Sequence, residues 1–305
     1  GGVRGEETVS DLSHGAVVVL ALGTAIISAQ AGDLATVPEP VAAPVFVDAY
    51  HPFQIRLKVA GSVPLDGTST IYDSGSFYPG VGSIARATGT GPGPGAALPG
   101  ASSTISWAVM PMVDFAYYLD RNWSIEAICC LAPAHVQGAG VLYGASIATT
   151  WAVPPTVTLQ YHFTSFGAFQ PYIGAGVNFT FFPGARAGAN NWYLGFNPTS
   201  PLAAMGVSGA VASFYATSVT PSWGAVGQLG ADYMFNDRWG VNLDVKYLMM
   251  EPTAHANIIA TMPQAPSLGA IYAPVTAAVK VNPLIVSTGL TYRFGEGFAP
   301  SMPSF

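Results

Sequence analysis

The feature that most constrains the fold of this chain is an alternation of apolar and polar residues in eight separate segments. In the first segment one face carries apolar side chains and the other polar ones: Phe53, Ile55, Leu57 and Val59 against Gln54, Arg56 and Lys58. Neighbouring strand residues point to opposite faces, whereas a helix would spread these residues around its axis. The segments are 53–63, 104–119, 123–131, 155–163, 169–182, 222–235, 239–249 and 282–294. Such segments are typical of a barrel wall between lipid and a polar interior.

The connections between these segments alternate strictly between short and long. The short ones are Asp120–Asn122, Thr164–Ala168 and Asn236–Arg238, and the long ones are 64–103, 132–154, 183–221 and 250–281. This order is expected when tight periplasmic turns face long extracellular loops. Trp123 and Trp239 directly follow two of the short turns, which places them in an aromatic girdle at the membrane interface. Within the third long loop, residues 202–216 are compatible with a short helix at the rim.

The composition supports a membrane barrel and excludes two other classes. The chain is 50% hydrophobic and only 9% charged, against about 25% charged residues in soluble domains. Its longest clean apolar run, Gly15–Ile27, is shorter than the roughly 20 residues of a membrane-spanning helix. The net charge of -6 and the scattered Lys and Arg provide no basic surface for a nucleic acid. We therefore predict an all-β fold, an eight-stranded antiparallel transmembrane β-barrel over residues 53–294, in a bacterial outer membrane.

The two ends of the chain are predicted to lie outside the barrel. Gly15–Ile27 has the length of a signal-peptide core, and Ala29-Gln30-Ala31 is a small-x-small cleavage site, so residues 1–31 are interpreted as a cleaved signal peptide. Residues 32–52, rich in proline, are expected to form an extended periplasmic lead-in. Residues 295–305 form a C-terminal extension beyond Phe294, the aromatic residue at the end of the last strand, and Phe305 restores an aromatic end.

Charged residues of both signs fall on the polar face of the strands. The predicted luminal network comprises Arg56, Lys58, Asp114, Glu126, His162, Asp232, Asp244, Lys246 and Arg293. Charge on the lipid face is costly, whereas inside a narrow barrel these groups can pair across the lumen. Two interpretations stay open: a structural ionic network, or charges that tune a permeant path.

No motif for catalysis or metal binding stands out. Cys129 and Cys130 are adjacent, so on a strand they point to opposite faces and are interpreted as small apolar fillers. No G-x-S-x-G elbow and no H-E-x-x-H zinc helix occurs in the sequence, although each is a common signature of hydrolytic sites. We expect no cofactor, no metal, no catalytic residues and no enzymatic activity.

Several blocks of the sequence resemble the OmpW family of outer-membrane proteins. They are RLKVAGS (56–62), PPTVTLQYHF (154–163), QPYIGAGVNFT (170–180), SWGAVGQLGADY (222–233) and TYRF (291–294). The resemblance implies an eight-stranded barrel with an apolar interior path for small hydrophobic molecules, released sideways into the bilayer. It also points to Ile128 and Trp223 as ligand-path residues. Ile128 shares the inward parity of Glu126, but Trp223 would face inward only if a bulge shifted its register; wall or girdle packing is the alternative for both.

Two functions are compatible with these observations. The first is a channel for passive uptake of small hydrophobic molecules. The alternative is a structural or surface-recognition barrel, a receptor or adhesin, acting through the enlarged loops 64–103 and 183–221. The expected partners are outer-membrane lipids and lipopolysaccharide, small hydrophobic solutes and the outer-membrane assembly machinery.

Overall fold

The computed structural model describes residues 50–67, 69–74, 97, 100–196, 198–199 and 201–296. The predicted signal peptide, most of the predicted lead-in and nearly all of the C-terminal extension lie outside these residues, so those three assignments stay predictions. Among the described residues, no helix is long and apolar enough to cross a membrane.

Seventeen β-strands account for most of the described chain. In chain order they are β1 (Phe53–Pro64), β2 (Ser69–Asp73), β3 (Ala101–Ile105), β4 (Ala108–Tyr118), β5 (Trp123–Cys130), β6 (Ala132–Gly140), β7 (Ser146–Ala152), β8 (Thr156–His162), β9 (Phe169–Thr180), β10 (Arg186–Ala187), β11 (Trp192–Gly195), β12 (Gly209–Val219), β13 (Ser222–Met234), β14 (Trp239–Leu248), β15 (Thr253–Thr261), β16 (Ala270–Val279) and β17 (Pro283–Phe294). A single turn of helix, α1 (Pro201–Ala204), and two 3₁₀ turns, Thr164–Phe166 and Pro266–Leu268, complete the regular structure of this part.

Eight of these strands close into an antiparallel barrel in the order β1-β17-β14-β13-β9-β8-β5-β4. They correspond one to one to the eight alternating segments, so the predicted fold class is confirmed. The main difference is that β4 begins at Ala108 instead of residue 104, because Ile105 already belongs to β3. Ile105 has the parity of Trp107 in the alternating segment 104–119, which predicts it on the lipid side of the wall. It instead lines the interior of the protein beyond the extracellular end of the barrel.

Alternation along the barrel strands separates the two faces cleanly. In β4 every second residue from Ala108 to Tyr118 is buried and the others are exposed. On β1, Leu57 is 59% exposed whereas its neighbour Arg56 is completely buried. The exposed residues of these strands are mostly apolar and form the outer surface, as the lipid-facing side of a membrane barrel requires.

Two of the three short turns at one end of the barrel are fixed by Asx-type hydrogen bonds, and the third contains the 3₁₀ turn Thr164–Phe166. Asp120 Oδ1 accepts from the backbone N–H groups of Asn122 and Trp123, both at 2.7 Å. Asn236 Oδ1 accepts in the same way from Arg238 and Trp239, at 2.9 and 2.7 Å. Asn and Asp favour tight turns because they can make this bond.

Aromatic rings form a girdle at the same end of the barrel. The Trp123 ring packs edge-on against Tyr161, with centroids 5.1 Å apart, and the Trp239 ring contacts Tyr292 at 4.6 Å. Such rings mark the membrane interface.

In the part of the chain that the structure describes, the long connections at the other end contain strands of their own, which the sequence pattern did not predict. Their strands form two further antiparallel sheets, one of order β10-β7-β6-β3 and one of order β11-β12-β15-β16-β2. Each sheet continues half of the barrel wall beyond its extracellular end. We call them the four-stranded and five-stranded outer sheets. The predicted helix over residues 202–216 is wrong for most of its length, because α1 ends at Ala204 and β12 begins at Gly209.

Candidate functional site

The periplasmic half of the barrel interior is filled by charged side chains, which we call the ion network. Its members are Arg56, Lys58, Asp114, Glu126, Asp232, Asp244, Lys246 and Arg293, with four charges of each sign. The side chains of all except Arg293, which is 15% exposed, are essentially inaccessible to solvent. These are the residues that the alternation predicted on the luminal face.

Arg56 links two acidic residues from other strands. Its guanidinium donates two hydrogen bonds to Asp232, from Nη2 to Oδ2 at 2.7 Å and from Nε to Oδ1 at 3.2 Å. Its Nη1 donates to Glu126. A planar guanidinium makes such bidentate contacts with a fixed geometry, so Arg56 ties β1 to β13 and β5 across the lumen.

Two lysines neutralise the remaining carboxylates. Lys58 is paired with Asp114 and, at 3.2 Å, with Asp244. Lys246 contacts Asp244 and lies 3.6 Å from Glu126 Oε1. The carboxylate oxygens of Asp114, Glu126 and Asp244 lie within 4.8 Å of one another, but the two ammonium groups already occupy the space between them. In this arrangement the acidic cluster is a salt-bridge centre.

Neutral side chains close the rest of this level. His162, the other predicted luminal residue, is fully buried; its ring lies 5.0 Å from that of Tyr118 and 4.8 Å from that of Tyr172. At the periplasmic end Arg293 donates to Gln54 at 2.6 Å and to Gln170 at 2.7 Å. An eight-stranded barrel is narrow enough for side chains to fill it, and here they do.

An apolar layer lies on the extracellular side of the ion network, and we call it the apolar floor. It is formed by inward-facing residues of six of the eight barrel strands: Ala60, Met110, Met112, Ile128, Cys130, Val226, Leu248 and Ile285. At the same level β8 and β9 contribute the buried polar residues Thr156 and Asn178. Ile128, one of the two ligand-path candidates, is 5% exposed and belongs to this layer. Its neighbour Cys130 packs in the floor while Cys129 is exposed on the outer face, so the two thiols point to opposite sides.

A cavity of about 570 Å³, including its open mouth, lies directly on this floor. Its lower wall is provided by Met110, Leu248 and Ile285 of the floor, and its sides include Ala108 and Ala132. We call it the lower cavity. Apart from two serines its lining is apolar: Ser62, Pro64, Ile105, Ser106, Ala108, Met110, Ala132, Pro133, Ala134, Ala152, Pro154, Phe182, Leu248, Met250, Val281, Pro283 and Ile285.

A second and larger cavity, of about 790 Å³ including its mouth, lies between the two outer sheets. We call it the outer cavity. Ala148 and Val136 line it from the four-stranded sheet, and Val275 and Ala277 from the five-stranded sheet. Ile105, Ala134, Phe182 and Val281 line both cavities. The two cavities therefore adjoin, and together they reach from between the outer sheets to the apolar floor.

The wall beside the lower cavity contains an interruption in its backbone pairing. The β4–β5 ladder ends at Met112↔Cys130, and the β3–β6 ladder begins only at Ile105↔Val136, one residue out of register. Between these pairs the one backbone hydrogen bond joins Ser106 N to His135 O, at 3.1 Å. Proline has no N–H to donate to a ladder, and both sides carry one, Pro111 and Pro133. Residues 107–111 and 131–134 are therefore not paired with each other, although residues 108–111 pair with β1 and residues 132–134 pair with β7. We call these two segments the unpaired stretch.

The second ligand-path candidate, Trp223, lines neither cavity. Its ring is 72% exposed on the outer surface and packs against Phe179 at 4.5 Å. The β9–β13 register runs without a shift through Trp223↔Phe179 to Tyr233↔Phe169, so the bulge needed to turn Trp223 inward does not occur. Its position fits wall packing against lipid. The structure brings Ile128 and the charged residues into the interior and leaves Trp223 outside.

The residues that line the outer cavity were missed because they lie in segments interpreted as loops. A weak signal exists in β15, where Ala254, Ala256 and Ile258 alternate with His255 and Asn257. Alanine, at two of the three positions, has low strand propensity, which obscures the alternation. The alternation does correspond to the inward face of the five-stranded sheet.

Together, the closed wall, its lipid-facing outer surface and its aromatic girdle define a transmembrane β-barrel of a bacterial outer membrane. A family model described as "OmpW family" matches residues 95–200 and 203–294. The chain belongs to the OmpW family.

Individual relatives agree with this assignment. The chain is 29% identical over 276 residues to the outer-membrane protein y4mB of Sinorhizobium fredii, covering 90% of this chain and 94% of that protein. It is 25% identical over 201 residues to the dibenzothiophene metabolism operon protein PahQ of Pseudomonas aeruginosa, covering 66% and 78%. Among solved structures it resembles OprG from Pseudomonas aeruginosa with a TM-score of 0.54 and 26% identity, covering 81% and 97%.

Proposed function

We propose that this protein is a channel for the passive uptake of small hydrophobic molecules across the outer membrane. The observation that carries the proposal is the sequence of layers along the interior: two adjoining apolar cavities that end on an apolar floor above a closed ion network. Apolar cavities favour apolar ligands, because transfer of apolar surface out of water is favourable. The name of PahQ, which places that relative in an operon for dibenzothiophene metabolism, supports the same substrate class.

The exit in this proposal is lateral. An apolar solute that reached the floor would have to displace Arg56, Lys58 and Lys246 from their carboxylates to continue toward the periplasm. Leaving buried charges without partners is strongly unfavourable. The unpaired stretch adjoins the lower cavity through Ala108 and Ala132, and the solvent on its other side is lipid. Separation of the strands there would break little backbone pairing.

A transport assay with a matched pair of variants tests the proposal. Ala277 lines the outer cavity, whereas its neighbour Ala278 on β16 is exposed on the other face. Purified protein in lipopolysaccharide-containing liposomes should speed the uptake of radiolabelled naphthalene over protein-free liposomes. Ala277→Trp should abolish most of this gain and Ala278→Trp should retain it. Equal rates with and without wild-type protein would reject the channel.

The alternative is a surface-recognition barrel, and one observation favours it. Tyrosines lie on the exposed faces of β11, β12 and β16: Tyr193 is 57%, Tyr215 48% and Tyr272 41% exposed. Tyrosine is common in recognition surfaces. Replacing these three tyrosines with serine would abolish surface binding and leave naphthalene uptake unchanged if recognition is a separate activity.

A further inference from the structure

One hydroxyl group in the wall of the outer cavity lacks a hydrogen-bond partner. Thr217 lines this cavity, and its Oγ1 is buried with no partner among the described residues. The other buried hydroxyls of the lining are satisfied. Ser69 Oγ and Ser103 Oγ bond each other at 2.7 Å, and Thr150 Oγ1 donates to Pro183 O at 3.2 Å.

A β-bulge places Thr217 on the inner face. β12 pairs with β15 as Phe214↔Ile258 and then as Ala216↔Asn257, which leaves Tyr215 as the extra residue. Without the bulge, the alternation starting from the buried Phe214 would turn Ala216 inward and Thr217 outward. With it, Thr217 pairs with the cavity-lining Ala256. Bulges of this kind re-aim side chains and are common beside functional sites.

The aromatic wall of the cavity lies on the same strand. Phe214 lines the cavity, is 4% exposed, and stacks on Trp192 with ring centroids 4.9 Å apart and planes at 18°. An aromatic ligand can pack against such a ring in an offset or edge-on geometry. A flat apolar surface and one unsatisfied hydroxyl are therefore presented close together in a mostly apolar chamber, whose other polar lining residues are Ser69, Ser103, Thr150, Ser218 and His255.

We propose that the outer cavity selects aromatic molecules carrying a single hydroxyl group, phenols or aromatic alcohols, with Thr217 Oγ1 as the hydrogen-bond partner of that hydroxyl. This inference rests on the proposed function, since it names the substrate class of the same chamber. The physical reason is that a buried polar group without a partner is unfavourable, and a ligand hydroxyl supplies the partner while its ring fills the apolar space. An unsubstituted hydrocarbon would leave Thr217 unsatisfied, and sites built to bond a hydroxyl discriminate against analogues lacking it.

The test compares 2-naphthol with naphthalene, which differ by one hydroxyl. Their affinities are measured by fluorescence titration of the protein in lipid nanodiscs, with empty nanodiscs subtracted, and their uptake is measured in the liposome assay. Thr217→Val, which keeps the branched shape, should weaken 2-naphthol binding about fivefold, corresponding to one net hydrogen bond, and leave naphthalene binding unchanged. Thr217→Ser should retain 2-naphthol binding. Thr261→Val, on an exposed position of β15, is the control and should change neither.

The outcomes separate this inference from the channel itself. If wild-type protein speeds uptake of both molecules but Thr217→Val binds 2-naphthol as tightly as wild type, the selectivity is overturned and the channel stands. An equal loss of both ligands in Thr217→Val would also overturn it, because the residue would then only shape the cavity. If wild-type protein accelerates neither molecule, the channel fails, and the selectivity with it.

Discussion

Arg56 on β1 and Asp232 on β13 are joined by two hydrogen bonds across the barrel interior, although their strands are not neighbours in the wall. Both side chains are fully buried, and Glu126 is bound to the same guanidinium. The pair therefore connects non-adjacent strands of the wall across the periplasmic half of the barrel interior.

Replacement of Arg56 by methionine is expected to destabilise the barrel. The change leaves Asp232 and Glu126 buried without their main cation, and breaking a buried pair in this way typically costs about 3–5 kcal/mol. The free energy of unfolding, measured by urea titration in lipid vesicles, should fall by that order. Arg186→Met, on an exposed position of β10, should have little effect. Equal stability of the two variants would show that the network is not required for the folded state.

The close approach of Tyr172 to β13 gives a second prediction. A Cβ atom at Gly230 would lie 2.5 Å from the Tyr172 ring and hydroxyl, and that hydroxyl donates to Asp244 at 3.2 Å. Gly230→Ala should therefore displace a buried ring and lower the unfolding free energy by about 1–3 kcal/mol, as overpacking does. Gly227→Ala on the same strand meets nothing within 4 Å and is the matched control. A loss of the same size in both variants would contradict this account.

The third prediction concerns the lipid-facing side. Leu159 is 46% exposed on the outer surface of β8, so Leu159→Arg should cost roughly 2–4 kcal/mol, as for a basic side chain near the bilayer midplane. Phe169→Arg, beside a periplasmic turn, should cost less because the penalty falls toward the interface. The difference in gel mobility between heated and unheated samples would report the folded fraction of each variant. Comparable losses would mean that the outer surface does not face lipid.

Gln160, the neighbour of Leu159, is a poor control for that experiment, and the reason is visible only in the structure. The sequence indicates that Gln160→Arg would be mild, since Gln160 points to a polar interior. Gln160 is however fully buried and donates to Gln228 at 3.1 Å. An added cation there would enter a network whose charges already balance, so both variants should impair folding.

The sequence predicts the barrel closely because each wall strand faces two different environments. Arg56 beside Leu57 is a pattern that only a strand with one oily and one polar face explains, and their opposite burial agrees with it. The same logic fails where both faces are mixed. The alanines of β15 have low strand propensity, which hides its alternation. Thr217 cannot be assigned to the inner face by counting along the sequence, since the extra residue Tyr215 reverses the parity. Bulges and tertiary contacts decide those positions, and neither is visible in a periodic pattern.

The last prediction addresses the lateral exit. Ala108 is buried and lines the lower cavity beside the unpaired stretch, whereas Val109 is 57% exposed on the outer face. Ala108→Trp should fill the space in front of the exit and slow the uptake of naphthalene into the bilayer at least tenfold. The affinity of naphthalene for the outer cavity of this variant, measured by fluorescence titration in nanodiscs, should stay within twofold of the wild-type affinity. Val109→Trp, which places the same bulky side chain on the lipid side, should change neither.

The combination of measurements distinguishes a lateral exit from an axial one. Uptake into the bilayer that is unchanged in Ala108→Trp would mean that solutes leave elsewhere. Loosening the ion network should then matter instead, and Lys58→Met should raise both naphthalene uptake and ion conductance. With a lateral exit, conductance of wild-type protein in planar bilayers stays low while naphthalene passes, because ions meet the closed network and the apolar solute leaves above it. The path for apolar solutes and the barrier to ions then occupy successive levels of one barrel.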